Sequence, residues 1–145
     1  MTDWLTAVSI FIATVTWLVT YVRDRRAHRI AYTVEIIGNL STSDRLAESC
    51  FQITKLINSN TQVPAEGVDP KIESHVVDIL DYYEFLSELY VSGVLNKETI
   101  ENLRGRLMKR TWYICKPYIE KTREKQQREI YSCYEQFVNE LPFKD

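Results

Sequence analysis

Residues 4–22 read WLTAVSIFIATVTWLVTYV, and residues 23–29 read RDRRAHR. The first segment contains no charged side chain over nineteen positions, whereas the second contains four arginines within seven. As a helix, nineteen residues span roughly 29 Å, which matches the hydrocarbon thickness of a bilayer at about 30 Å. The two segments therefore predict a helix that crosses a membrane once and ends at a basic flank.

Two other structures are compatible with an apolar N-terminal segment, a cleaved signal peptide and a buried core helix. A signal peptide begins with positive charge and ends in small residues, but here Asp3 precedes the segment and arginines follow it. We therefore expect the segment to be retained. The core helix stays open as an alternative, because hydroxyl groups dilute the hydrophobicity of the segment. They belong to Thr6, Ser9, Thr14, Thr16 and Thr20.

The basic flank predicts the orientation of the chain. Arg23, Arg25, Arg26 and Arg29 follow the apolar run, and arginines beside a membrane span stay on the cytoplasmic side. Their guanidinium groups are expected to bind anionic lipid headgroups. The sequence thus predicts a single-pass protein of the inner (cytoplasmic) membrane, with the N-terminus outside and the C-terminal part in the cytosol.

Small residues recur along one stripe of the apolar segment. Thr6, Ser9, Ala13, Thr16 and Thr20 step by three or four positions, and the same phase includes Thr2. Small side chains let two membrane helices approach closely, and hydroxyls can form hydrogen bonds across the contact. The stripe predicts a helix-packing face, so a homo-oligomer is one outcome. The alternative is that each hydroxyl bonds only to the backbone of its own helix.

The chain divides into three parts by pattern: a transmembrane anchor over residues 1–22, a juxtamembrane basic helix over 23–40, and a cytosolic helical bundle over 41–145. Apolar residues continue in phase through Val34 and Ile37, which predicts one helix that ends near Gly38 and Asn39. About 105 residues then remain, enough for one compact domain. The predicted fold is all-α, with about four further helices after the membrane helix.

Caps and breaks divide the cytosolic part. Polar residues at 41–44 begin a helix that ends at Asn58, and a long polar loop, expected to be the most mobile, runs to residue 68. Asp69 and Pro70 begin the central core helix, which Gly93 ends. The apolar face of that helix consists of Ile72, Val76, Ile79, Leu80, Tyr83, Leu86 and Tyr90.

The last third of the chain is expected to hold two more helices. Asn96 caps one, and Pro117 forbids its unbroken continuation. A final helix is therefore predicted from Pro117 to Leu141.

No set of residues forms a convincing catalytic or metal site. His75 and Asp78 share a helical face, but a carboxylate-bridged site needs a second such pair, and His28 is the only other histidine. We therefore interpret the acidic residues around His75 as a solvated face. The three cysteines lack metal-ligand spacing and are expected to pack as reduced thiols: Cys50, Cys115 and Cys133. No cofactor is predicted.

Two stretches carry a resemblance to a known family. Residues 81–103 read DYYEFLSELYVSGVLNKETIENL, and residues 112–124 read WYICKPYIEKTRE. They resemble an uncharacterised family of small bacterial and phage proteins, a domain of unknown function with an N-terminal membrane helix and a helical cytosolic part. A glutamate and a later arginine recur in that family, here Glu84 and Arg123. They are predicted to form a partly buried ion pair that sets the register of the central and last helices.

These observations favour a non-enzymatic membrane-anchored interaction or regulatory protein, in a phage, prophage or defence setting. Its partners would be the lipid bilayer and a protein that the sequence does not identify. The alternative is an oligomerising membrane effector that perturbs the bilayer when triggered. The chain has a formal net charge of -2 and its basic cluster is confined to the membrane edge, so nucleic acid is not an expected partner.

Overall fold

The computed structural model describes residues 2–41 and 43–141, with side chains described for residues 4–38 and 43–141. Within these ranges all regular structure is helical, which confirms the predicted all-α fold. The helices are α1 Thr2–Ser41, α2 Asp44–Asn58, α3 Pro70–Val91, α4 Lys97–Ile100, a π-helical stretch Glu101–Gly105, α5 Arg106–Gln126 and α6 Ser132–Glu140.

Helix α1 extends away from the bundle for most of its length. Every side chain over residues 4–32 is exposed, whereas Thr33 and Ile37 are buried. The helix continues from the apolar segment into the bundle as predicted, but it ends at Ser41 and not near Gly38 and Asn39. The backbone of Gly38 is helical. It does not adopt the left-handed conformation in which a glycine ends a helix.

A buried hydroxyl connects α1 to the bundle. Thr33 Oγ1 donates to the carbonyl of Arg29 at 2.7 Å and accepts from the backbone N–H of Asn96 at 2.9 Å. Asn96 is the N-cap of α4, and its side-chain oxygen accepts from the N–H of Thr99 at 2.9 Å. The same residue thus begins α4, as predicted, and holds that helix against α1.

The caps predicted for α3 are confirmed. The Asp69 carboxylate accepts from the N–H of Lys71 at 2.8 Å, Pro70 is the first helical residue, and Gly93 follows the helix with φ of 72°. The predicted apolar face of α3 lies in the core, except Ile72, which is 38% exposed. Helix α2 likewise ends at Asn58 as predicted.

The long loop between α2 and α3 is fastened at its middle. Val63 is 2% exposed, and its backbone N–H donates to the carbonyl of Ile114 on α5 at 2.8 Å. Val63 therefore joins the middle of this polar stretch to the core, and Val68 packs against the core at its end. Mobility of the rest of the loop stays a prediction.

The helix boundary predicted at Pro117 is wrong. Helix α5 continues through Pro117 to Gln126, and the chain breaks only between Gln127 and Tyr131. An internal proline costs about 3 kcal/mol, but the buried residues Cys115, Tyr118 and Ile119 surround it and hold both halves of the helix in the core. The carbonyl of Ile114, one turn before the proline, accepts the loop N–H described above.

Aromatic rings from α3, α5 and α6 fill the centre of the bundle. The ring centroids of Tyr83 and Tyr134 lie 5.5 Å apart, those of Trp112 and Tyr134 5.1 Å, and those of Tyr90 and Phe137 4.7 Å. All three pairs have the edge-to-face geometry that aromatic rings prefer. Five tyrosines are buried in this core: Tyr82, Tyr83, Tyr90, Tyr118 and Tyr134.

Candidate functional site

The exposed surface of α1 is the most unusual feature of the molecule. Phe11 is 70% exposed and Trp17 is 65% exposed, although both are large and apolar. Trp4–Gly38 is the one helical segment among the described residues that is long and apolar enough to span a membrane, and none of its most apolar window is buried. The alternative of a core helix within a single chain is therefore wrong, because a core helix buries its apolar side chains.

The hydroxyls of the predicted packing stripe bond to their own helix. Ser9 donates to the carbonyl of Leu5 at 2.9 Å, and Thr16 and Thr20 donate to the carbonyls four residues before them at 2.8 and 2.9 Å. Thr6 and Ala13 are exposed along the same stripe, and the side chain of Thr2 lies outside the described residues. Each bonded hydroxyl keeps a lone pair for a second helix but no longer has a free proton to donate. The stripe stays a prediction as a packing face.

The arginine flank lies beside the bundle. Arg26 contacts Glu98 on α4, with 3.2 Å between guanidinium nitrogen and carboxylate oxygen, and both side chains are largely exposed. Arg25, Arg26 and Arg29 line an open groove of about 260 Å³ together with Tyr21, and Arg23 is exposed one turn before. The arrangement suits phosphate groups, because three guanidinium groups line the same open groove. Their role at lipid headgroups stays a prediction.

The sequence suggested that the acidic residues of α3 form a solvated face, but two of them accept hydrogen bonds from tyrosines of the bundle. Tyr118 donates its hydroxyl to Glu73 at 3.0 Å, and Tyr131 donates to Asp81 at 3.1 Å. Contacts with these carboxylates raise the pKa of both tyrosines, in addition to the larger effect of burial. The acidic residues of α3 therefore bind the middle of α5 through Tyr118 and the turn between α5 and α6 through Tyr131.

Glu84 and Arg123 do not form the direct ion pair that the sequence predicted. Glu84 accepts from the backbone N–H groups of Cys133 and Tyr134, at 3.2 and 2.7 Å, in the first turn of α6. Arg123 donates to the carbonyl of Ile130 at 2.9 Å and pairs with Glu135 at 2.8 Å. The prediction was wrong because it placed one straight helix from Pro117 onward.

The turn between α5 and α6 instead offers each side chain its own nearby partner. Both residues bind the start of α6, Glu84 from α3 and Arg123 from α5. They set the position of the last helix without touching one another.

His75 belongs to a structural network that the sequence did not reveal. Its Nδ1 lies 2.9 Å from the hydroxyl of Ser49, which is also 3.3 Å from the Asp78 carboxylate. Arg45 makes a two-pronged contact with the same carboxylate at 2.7 and 2.6 Å. In a catalytic triad the histidine lies between serine and aspartate, whereas here the serine lies between them and is fully buried. The network joins α2 to α3.

Clefts border these contacts, and two of them lie beside Asp81. The larger holds about 500 Å³ between α3 and the α5–α6 turn, and its walls include Asp81, Glu84, Tyr118 and Arg128. The smaller holds about 390 Å³ between the start of α2 and α3, with Leu46 and Phe85 among its lining residues. Among the described residues, no group of histidine, cysteine and carboxylate side chains has the geometry to hold a metal ion.

The thiols are poor nucleophiles in this fold. Burial raises the pKa of Cys115 to about 12 and also raises the pKa of Cys50 and Cys133. A thiol attacks as the thiolate, which these environments disfavour at neutral pH.

A protein-family model matches residues 6–141, from within α1 to the residue after α6. The chain belongs to the DUF4760 family. The name stands for a domain of unknown function, so the resemblance carried by residues 81–103 and 112–124 is confirmed at that level. The DUF4760 match includes almost all of the apolar segment of α1 as well as the whole described bundle, so the family unit is the long helix and the bundle together. No curated protein and no solved structure matches the chain.

Proposed function

We propose that the protein is a membrane-anchored, non-enzymatic interaction protein in which α1 crosses the bilayer once and the bundle lies on the cytoplasmic side. The observation that carries the proposal is the exposure of every side chain over residues 4–32, in a helix whose apolar run matches a bilayer in length. In water this apolar surface would cause aggregation, whereas in a bilayer its side chains would contact lipid acyl chains. The arginine flank supports the orientation.

The proposed orientation places the bundle close to the lipid headgroups. Arg26 lies four residues beyond the end of the apolar run, about 6 Å along the helix, and it contacts Glu98 of the bundle. A protein held so near the membrane meets partners that are themselves in or on it. A membrane protein or a membrane-associated cytosolic protein is therefore the proposed partner class, and the phage, prophage or defence setting is part of the proposal.

The non-enzymatic part of the proposal is supported by the side chains that would otherwise suggest chemistry. Ser49 is buried beneath His75, and the pKa of each cysteine is raised. The carboxylates Glu73, Asp81 and Glu84 already accept hydrogen bonds that hold helices together. These groups stabilise the fold.

The test is membrane extraction followed by protease protection. The native protein is expected to stay in the membrane pellet after washing at alkaline pH, and its bundle should resist protease added to intact spheroplasts. Replacing the four flank arginines with glutamine should expose the bundle to protease in part of the molecules, because the charge that sets orientation is lost. A matched control replaces four exposed lysines of the bundle, which should change nothing: Lys55, Lys71, Lys116 and Lys125.

Release of the native protein by the alkaline wash would disprove the anchor, and cleavage of its bundle in intact spheroplasts would disprove the orientation. The oligomerising effector is the second candidate, favoured by the exposure of the small stripe along α1. It requires that overexpression depolarise the membrane and that Ser9→Leu and Thr16→Leu abolish the effect. Depolarisation that survives both substitutions would exclude assembly through this stripe.

A further inference from the structure

The turn between α5 and α6 has a strained backbone. Gln127 has φ of 51° and ψ of 36°, and Tyr131 has φ of 58° and ψ of 35°. Both lie in the left-handed region, which glycine adopts readily and other residues adopt at a cost, because the Cβ approaches the following carbonyl. Neither residue is glycine, so the turn is unfavourable at two of its positions.

The local sequence favours a different structure for the same residues. Residues 120–132 read EKTREKQQREIYS, without glycine or proline and rich in glutamate, lysine, glutamine and arginine. These side chains are strong helix formers. Left to local preference, α5 would continue through the turn into α6 as one straight helix.

Contacts with the rest of the bundle impose the turn. Glu84 binds the first N–H groups of α6, Arg123 binds the carbonyl of Ile130, and Tyr131 binds Asp81. Helix α6 then inserts Tyr134 and Phe137, both fully buried, between α3 and α5. The residues of α3 that contact α6 lie outside the turn. They would receive the α6 of another molecule equally well.

We propose that α6 exchanges between two copies of the chain. In the exchanged form residues 127–131 straighten, α5 and α6 become one helix, and each α6 occupies the site between α3 and α5 of the other copy. The buried contacts of α6 are the same in both forms, but the two left-handed residues are relieved, which is the energetic basis of domain swapping. The partner is thus a second copy of this chain, joined through the bundle. The proposal does not depend on the membrane anchor.

The first experiment measures dimerisation of the full chain in detergent by sedimentation equilibrium. Gln127→Gly should raise the dimer dissociation constant by about tenfold, because glycine relieves the turn and weakens the straight helix. The matched control is Gln126→Gly, one residue earlier in ordinary helical backbone, where the substitution weakens a helix common to both forms. Both residues are exposed, so neither change disturbs the core.

The second experiment identifies which copy supplies α6. Lys97 on α4 lies 3.7 Å from Glu140 on α6, and Lys121 lies 3.4 Å from Glu66. A carbodiimide couples such pairs directly. Chains labelled with ¹⁵N are mixed with unlabelled chains, allowed to exchange, and coupled, and the linked peptides are weighed by mass spectrometry. In an exchanged dimer of one labelled and one unlabelled copy, the 97–140 link joins peptides of different isotope content. The 66–121 link lies entirely before the turn and always joins peptides of the same content.

Mixed-isotope 97–140 links in the dimer fraction, together with a weaker dimer for Gln127→Gly than for Gln126→Gly, are the expected result. A dimer whose 97–140 links all carry one isotope is assembled by another surface, and this overturns the proposal. Equal dissociation constants for the two glycine variants also overturn it, as does a native chain that stays monomeric at every attainable concentration.

Discussion

Glu84 provides the sharpest test of how the bundle is held together. Its carboxylate accepts from two backbone N–H groups at the start of α6, while the residue in the N-cap position, Tyr131, offers no side-chain cap. Loss of a cap costs about 1 kcal/mol and up to about 2. A negative charge at a partly buried helix N-terminus adds about 1 kcal/mol. Glu84→Ala should therefore lower the free energy of unfolding by about 2 to 3 kcal/mol.

The assay is thermal unfolding of the full chain followed by circular dichroism. For a domain of this size each kcal/mol shifts Tm by about 4 °C or more, so Glu84→Ala should lower Tm by about 10 °C. Glu84→Gln keeps one acceptor oxygen but loses the charge, and should lower Tm by about half as much. Hydrogen exchange at the N–H of Tyr134 should also accelerate, because that group loses its acceptor.

Glu88 provides the matched control, since it lies one turn further along α3 and is exposed. Glu88→Ala should change the free energy of unfolding by less than about 0.5 kcal/mol. If Glu84→Ala and Glu88→Ala had equal Tm values, the capping role of Glu84 would be refuted.

Three further predictions concern other contacts of the bundle. Thr33→Val should lower the free energy of unfolding by about 1 to 2 kcal/mol, because the N–H of Asn96 loses its acceptor in a buried site, and urea titration would measure it. Val63→Ala should cost about 2 kcal/mol and speed proteolysis of the loop, because the most deeply buried side chain of the loop is truncated. Burial raises the pKa of Tyr134 and of Cys115, and such groups stabilise the fold only while they are protonated. A pH series should therefore show a nearly constant Tm from pH 6 to 8 and a steep fall above about pH 9, where thiols and then tyrosines ionise in the unfolded chain.

The sequence predicted those elements whose signals are local. Asp69, Pro70, Gly93 and Asn96 all serve at helix ends as expected, because a cap acts on residues within three or four positions. The apolar face of α3 was likewise visible in the spacing of its residues. In both cases the physical cause lies within the segment itself.

The errors occur where distant residues override local preference. Pro117 lies inside a helix because buried neighbours on both sides outweigh its cost, and no pattern near residue 117 reveals that burial. The turn after α5 follows from Glu84, Arg123 and Asp81, two of which lie more than forty residues away along the chain. The contact of Ser49 with His75 similarly depends on the register of two helices, which neither helix encodes alone.

Helix α1 runs without a break from the apolar segment into the bundle. Residues 2–37 contain neither glycine nor proline, and the first buried attachment, Thr33, lies about 16 Å beyond the end of the apolar run. A membrane helix commonly tilts by about 20°, which would displace that attachment sideways by about 6 Å. If α1 crosses the membrane as proposed, stretching, thinning or bending of the bilayer would swing the bundle together with α1, and the thickness of the surrounding lipid would become a mechanical input to whatever the bundle touches.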